Sequence, residues 1–282
     1  MSAASDRIFR SEEVSALPII QKELRQGFKA FLIWSAGQAF LILCGMVKFS
    51  GMSSTQTGGM NEMLAQMPKP VLALFGMSEA NIETLGGFYA VLEFYAMIVI
   101  ACYAVSLGTS AVLRESVDKT YEFLFTKPWG RMRILTMKLL AGLVYLMLLC
   151  VLNGVFSWIA PGLYGIENTI TEAMLLYAAA VGVVGLVFFA AGVCLSVFVS
   201  RPERAVQLSY GVLLLSYGLS VVFDMDERFA CLRPMTLLRY FRAGELLDGK
   251  LHPVYLIGAL TAVAALLTAG YLGFRQKDLS AA

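Results

Sequence analysis

One histidine, His252, is all that 282 residues contain. That scarcity excludes HExxH zinc chemistry and any histidine-based triad except one built on His252 itself. His252 stands before Pro253 at the edge of an apolar run, an interfacial position rather than a catalytic one. Cysteine is also sparse. Cys44, Cys102, Cys150, Cys194 and Cys231 are too dispersed for a CxxC metal site, and the first four lie in apolar runs, as small packing residues do. Charged residues make up only 15% of the chain and the formal net charge is +2, so neither nucleic acid nor an acidic partner is indicated. No pair of carboxylates falls inside an apolar run, which removes the common general acid–base arrangement.

Hydrophobic residues make up 58% of the sequence. They concentrate in the stretches Ala30–Val47, Phe94–Leu113, Leu139–Ile166, Ala173–Ser200, Ala205–Phe223 and Leu251–Phe274, none of which contains Asp, Glu, Lys or Arg. A helix needs about 20 apolar residues to cross the hydrocarbon core, and inside lipid its backbone must be satisfied within the helix. The expected fold is therefore all-α and integral to a membrane. One polytopic domain, residues 1–282, is expected, with spans near 30–49, 87–113, 134–160, 172–200, 205–223 and 252–274. Met1–Lys29 is polar and of mixed charge, without the apolar core of a cleavable signal, so the first span is expected to be retained.

Charge sets the expected orientation. Arg7, Arg10, Lys22, Arg25 and Lys29 precede span one. Arg114, Lys119, Lys127, Arg131, Arg133 and Lys138 follow span two, Arg201 and Arg204 follow span four, and Arg275 and Lys277 end the chain. With six spans these fall on one side, which places both termini in the cytoplasm. The segment before span six breaks the pattern with Arg228, Arg233, Arg239, Arg242 and Lys250, offset by Asp224, Asp226, Glu227, Glu245 and Asp248.

Between the spans, Pro18–Lys29 spaces Ile20, Leu24 and Phe28 by four among charged residues. That pattern predicts an amphipathic helix at the interface, either a plain anchor or an elbow that passes motion into span one. Ser50–Met60 is rich in Gly, Ser and Thr, and Met63–Phe75 then predicts a short surface helix around Pro68 and Pro70. Asp224–Lys250 alternates apolar and charged residues, which suits one or two short helices over the outer end, or a solvated face. Span four is rich in small residues, a pattern for close helix packing.

Polar groups inside the spans are few. Glu93 is the one acid at membrane depth, where a carboxylate is expensive. Two readings stand: a group contacting substrate or protons, or a hydrogen bond to a neighbouring helix or to an outer arginine. Gln38, Asn153 and Gln207 suit interhelical hydrogen bonds.

The segment after span two carries the most specific pattern. Glu115 and Lys119 form an acid-first i,i+4 pair, Val117, Tyr121 and Leu124 share a face, and Pro128 ends the helix. Glu115, Lys119-Thr120, Glu122-Phe123-Leu124, Pro128, Arg131 and Lys138, in that order, resemble the first cytoplasmic loop of ABC-2 type permeases of ATP-binding cassette exporters. Phe123 and Trp129 depart from that family's commoner small or polar choices. Lys22-Glu23-Leu24 is similar to its N-terminal element, and Met67-Pro68 through Leu74-Phe75-Gly76 to a stretch of its first outer loop. The resemblance covers essentially the whole chain.

The resemblance implies a permease subunit with a type V exporter-like membrane domain: six spans, an N-terminal elbow helix, a cytoplasmic coupling helix and short outer helices before the last span. It implies a second permease chain, the same or related, and a separate ATPase subunit. Glu115–Phe125 would be the coupling helix, with Tyr121, Leu124 and Phe125 entering the ATPase and Glu115, Asp118 and Glu122 at the rim. The chain would be no enzyme and hold no cofactor or metal, because ATP and Mg²⁺ would sit on the partner. Gly244–Leu251 mimics a phosphate loop, but Leu251 replaces the required Ser or Thr and no strand precedes it. Lipid is the remaining partner, and a bacterial or archaeal cell membrane the expected location. The alternative is a secondary transporter or channel acting without an ATPase. The substrate is not legible; an apolar cavity would suit an amphiphile.

Overall fold

The computed structural model describes residues 17–54, 59–78, 81–117, 130–225 and 236–276. Among these every regular element is helical. In chain order they are α1 Leu17–Ser54, α2 Met60–Ala65, α3 Lys69–Leu74, α4 Leu85–Val117, α5 Arg131–Leu163, α6 Thr171–Phe198, α7 Pro202–Met225, a 3₁₀ turn Leu237–Arg239, α8 Ala243–Leu247 and α9 Pro253–Gln276. The six long ones, α1, α4, α5, α6, α7 and α9, are long and apolar enough to cross a membrane.

Four of those helices, α1, α4, α5 and α7, are longer than the apolar stretches on which the sequence expectation rested. α4, for example, has 33 residues, about 50 Å at 1.5 Å per residue, well beyond a hydrocarbon core of about 30 Å. Helix therefore continues past the membrane on charged, strongly helix-forming residues. The expected elbow, Pro18–Lys29, is helical and runs unbroken into span one. Ile20 and Leu24 lie on its packed face as expected, joined by Ile19, Gly27 and Phe31, whereas Phe28 does not. Phe28 is exposed, whereas Ile19 packs with Ile134 and Met137 of α5. A period of 3.6 drifts away from a strict spacing of four, which moves Phe28 off the packed face.

The first outer segment holds two short helices where one was expected. Pro68 caps α3, and Pro70 lies in its first turn, where a missing N–H costs nothing. α3 stops at Gly76, φ +69°, which lets the Met77 N–H reach the Leu72 carbonyl at 2.8 Å and the Gly76 N–H that of Ala73 at 3.1 Å. Pro202 and Pro253 likewise open α7 and α9. The segment before span six forms the 3₁₀ turn and α8.

α4 and α6 are the centre of the bundle, each with 61% of its most apolar window buried, against 11% for α9. Among the described residues they make the most extensive helix contact. Small residues allow it. A methyl group on Gly108 would lie 2.3 Å from the Phe189 carbonyl oxygen, and one on Gly192 would lie 3.0 Å from that of Val105. The small residues of span four thus serve internal packing at these points. α5 covers α4 and α6 on one side and binds α1, while α7 and α9 close the other contacts.

Candidate functional site

Gln38, Tyr89, Glu93, Asn153 and Ser157 meet inside the bundle. Glu93 and Tyr89 are one turn apart on α4, and Asn153 and Ser157 one turn apart on α5, so each pair shares a helix face. Glu93 is 0% exposed. Its Oε1 accepts a hydrogen bond from the Ser157 hydroxyl at 2.8 Å, and its Oε2 one from the Asn153 amide Nδ2 at 3.1 Å. Tyr89 presents its hydroxyl to the same carboxylate. Asn153 then accepts, through Oδ1, a hydrogen bond of 2.5 Å from Gln38 Nε2 on α1. Tyr89 stands edge-on to Tyr177 of α6 at 5.4 Å between ring centroids. Four spans therefore converge on one carboxylate.

Donors from a neighbouring helix answer the cost of burying Glu93. Of the two readings of Glu93, the geometry matches the interhelical hydrogen bond. The partner is α5 and not an outer arginine. Arg239 instead pairs with Asp224 of α7 and lies 4.5 Å over the Phe94 ring. Phe94 also stacks on Tyr217, whose hydroxyl donates to the Leu74 carbonyl at 2.6 Å. The Tyr95 hydroxyl donates to the Phe75 carbonyl at 3.1 Å. These contacts fasten α3 and the 3₁₀ turn over the far ends of α4 and α7.

Gln38 and Asn153 join the network as expected of interhelical polar groups. Gln207 does not, because it faces outward from α7. Ser157 and Tyr89 escaped the sequence reading, although each lies four residues from a polar residue already singled out. The small residues Gly154, Ala178 and Gly182 open a groove of about 540 Å³ between α5 and α6, flanked by Val151, Trp158 and Leu175 and facing away from the bundle.

At the end of the bundle that carries Leu17 and Gln276, Glu23 of α1 meets Arg114 of α4 and Lys138 of α5. Glu115 falls in the last turn of α4. Asp118, Tyr121, Glu122, Leu124 and Phe125, expected to contact an ATPase, lie outside the described residues. Among the described residues no group of three or more His, Cys, Asp or Glu converges to hold a metal ion. The phosphate-loop mimic ends α8: Gly249 has φ +75°, and the Lys250 N–H turns back to the Glu245 carbonyl at 2.8 Å.

The family model for ABC-2 family transporter proteins matches residues 17–279, nearly the whole chain. No curated protein matches it.

Proposed function

We propose, from the premise that this chain belongs to the ABC-2 transporter family, that it is the permease subunit of an ATP-driven exporter. The match over residues 17–279, on a chain with six membrane-capable helices, is the observation that carries this reading. Two copies, or this chain and a related one, would line the path, each engaging a separate ATPase that binds ATP and Mg²⁺. The Glu115–Phe125 segment, most of it within residues 118–129, would dock there, with Tyr121, Leu124 and Phe125 inserted and Glu115, Asp118 and Glu122 at the rim. Both described ends, Leu17 and Gln276, would face the cytoplasm, as the clustering of Lys22, Arg25, Lys29, Arg114, Arg131, Arg133, Arg201, Arg204 and Arg275 on that side supports.

Within this reading Glu93 is an interhelical lock in the outer half of the permease. It is shut off from water, and donors on span three hold its carboxylate. A substrate-contacting Glu93 would need a path of access that its full burial denies in this conformation.

Copurification tests the reading. The tagged chain should bring down an ATP-binding cassette subunit, and changing Tyr121, Leu124 and Phe125 together to Asp should abolish that association while the chain stays in the membrane. A purified chain that transports by itself in vesicles, or one that ignores the triple change, would favour the self-sufficient carrier.

A further inference from the structure

Glu23 touches two other helices at once. Its Oε2 accepts from Arg114 Nη1 at 2.9 Å, and its Oε1 lies 4.0 Å from Lys138 Nζ. The Arg114 guanidinium also reaches Gln26 Oε1 at 3.4 Å, one turn along α1. Lys138 in turn donates to the Ala111 carbonyl of α4 at 3.4 Å. Arg114 is in the last turn of α4, and Lys138 is two turns into α5. Both stems of the 118–129 segment are thus tied to α1 through one carboxylate.

This is no ordinary surface ion pair. The Lys138 side chain is 4% exposed and that of Glu23 10%. Arg114, the nearer partner, keeps 30% of its side chain exposed, while the Glu23–Lys138 side of the contact is shielded from water and breaks at a cost. Neighbouring contacts reinforce it. The Tyr145 hydroxyl donates to the Leu24 carbonyl, and a methyl group on Gly27 would lie 2.8 Å from the Tyr145 ring. Farther along the same helices, about 22 Å from Glu23 at 1.5 Å per residue, Gln38 joins Asn153 and hence Glu93. The same three helices are therefore fastened by polar contacts near both ends.

We propose that Glu23 is the strut that makes α1, α4 and α5 move as one body when the 118–129 segment is displaced. The proposal rests on the reading of that segment as the ATPase-docking element. It assigns Glu23 a positioning role: the residue touches neither nucleotide nor substrate, but carries displacement from the two stems into span one.

Hydrogen exchange measured by mass spectrometry tests it, on the chain in lipid nanodiscs with the ATPase that copurifies, with and without ATP. In the native complex ATP should change exchange in α1 together with the end of α4 and the start of α5. In Glu23→Gln the ATPase should remain bound and the α4 and α5 response persist, while the α1 response is lost. Arg114→Lys, which keeps a cation facing Glu23, should retain it. Should Glu23→Gln fail to reach the membrane, Glu23→Met, which removes the carboxylate and keeps the side-chain length, is read by the same criterion. An α1 response that survives in the single variant overturns the strut. So does a native complex whose α1 ignores ATP while the ATPase is bound. Failure of the native chain to bind any ATPase would instead count against the docking reading.

Discussion

Gly108 of α4 and Phe189 of α6 hold their backbones so close that a methyl group on Gly108 would stand 2.3 Å from the Phe189 carbonyl oxygen. The two helices are the buried centre of the chain, and the close approach lets their side chains interdigitate along the rest of their length. Gly192 repeats the arrangement from the other side, 3.0 Å from the Val105 carbonyl. In lipid, where no hydrophobic gain drives helices together, such packing is a main source of association.

Gly108→Val is therefore expected to destabilise strongly. An overpacked core costs about 1–3 kcal/mol, and here the obstacle is backbone, which cannot swing aside. Gly182→Ala is the control, since an added methyl there meets nothing within 4 Å. Thermal unfolding in detergent should show a lowered midpoint for Gly108→Val and no comparable change for Gly182→Ala. Equal effects at both positions would contradict the close contact.

The polar cluster around Glu93 predicts an order of severity. Asn153→Leu removes a donor from a carboxylate with no access to water, and also deprives Gln38 of its acceptor. A buried polar group left unsatisfied costs about 1–3 kcal/mol. Glu93→Gln keeps an acceptor for Ser157 and removes the charge, so it should be the milder change. Adding Glu93→Leu to Asn153→Leu should recover part of the loss, because the stranded carboxylate then disappears. A double-mutant cycle on unfolding midpoints measures this, and strict additivity would mean that the two residues do not interact.

How much of this was legible follows from what each signal reports. Absence of charge over some 20 residues marks a span wherever it occurs, so all six spans stood in the sequence. The helix ends were less legible, because charged residues such as Arg114 and Arg131 are good helix formers and carry the helices beyond the apolar runs. Glu93, Gln38 and Asn153 stood out as rare polar residues in apolar runs. Their meeting could not be read, since it depends on the rotation of three helices about their own axes. Ser157 was invisible for a simpler reason: a lone serine in a span is common, and only its place one turn from Asn153 gives it meaning. Pro68 and Pro70 marked a surface helix but left open that Pro68 would divide it in two.

Arg239 ties the far-end segment to two spans. It pairs with Asp224, and both side chains are nearly buried, at 11% and 6% exposed. Its guanidinium also lies over Phe94. Removing one partner of a buried pair costs about 3–5 kcal/mol, because the other charge stays behind. Arg239→Ala should lower the unfolding midpoint markedly. Arg239→Lys should recover only part of the loss, since an ammonium cannot both stack flat on the ring and present a planar fork to the carboxylate. Full recovery with lysine would show that charge alone matters. Limited proteolysis gives a second measure: release of the turn from Phe94 should expose Leu237–Leu247 to cleavage sooner in Arg239→Ala.

Gly249 and Lys250 allow a test of what looks in the sequence like a phosphate loop. A true loop of that kind points successive N–H groups outward at phosphate oxygens. Here the Gly249 and Lys250 N–H groups turn inward, to the Leu246 and Glu245 carbonyls at 3.1 and 2.8 Å, and so close α8. The same donors cannot serve a nucleotide without unwinding the helix end. Lys250→Ala should accordingly leave ATP turnover by the assembled complex unchanged. Gly249→Ala should cost about 1 kcal/mol of stability, because alanine tolerates positive φ poorly. The two variants separate the roles in one ATPase assay and one melting curve. Loss of nucleotide turnover in Lys250→Ala with an unchanged melting point is the result that would return this segment to the phosphate-binding class.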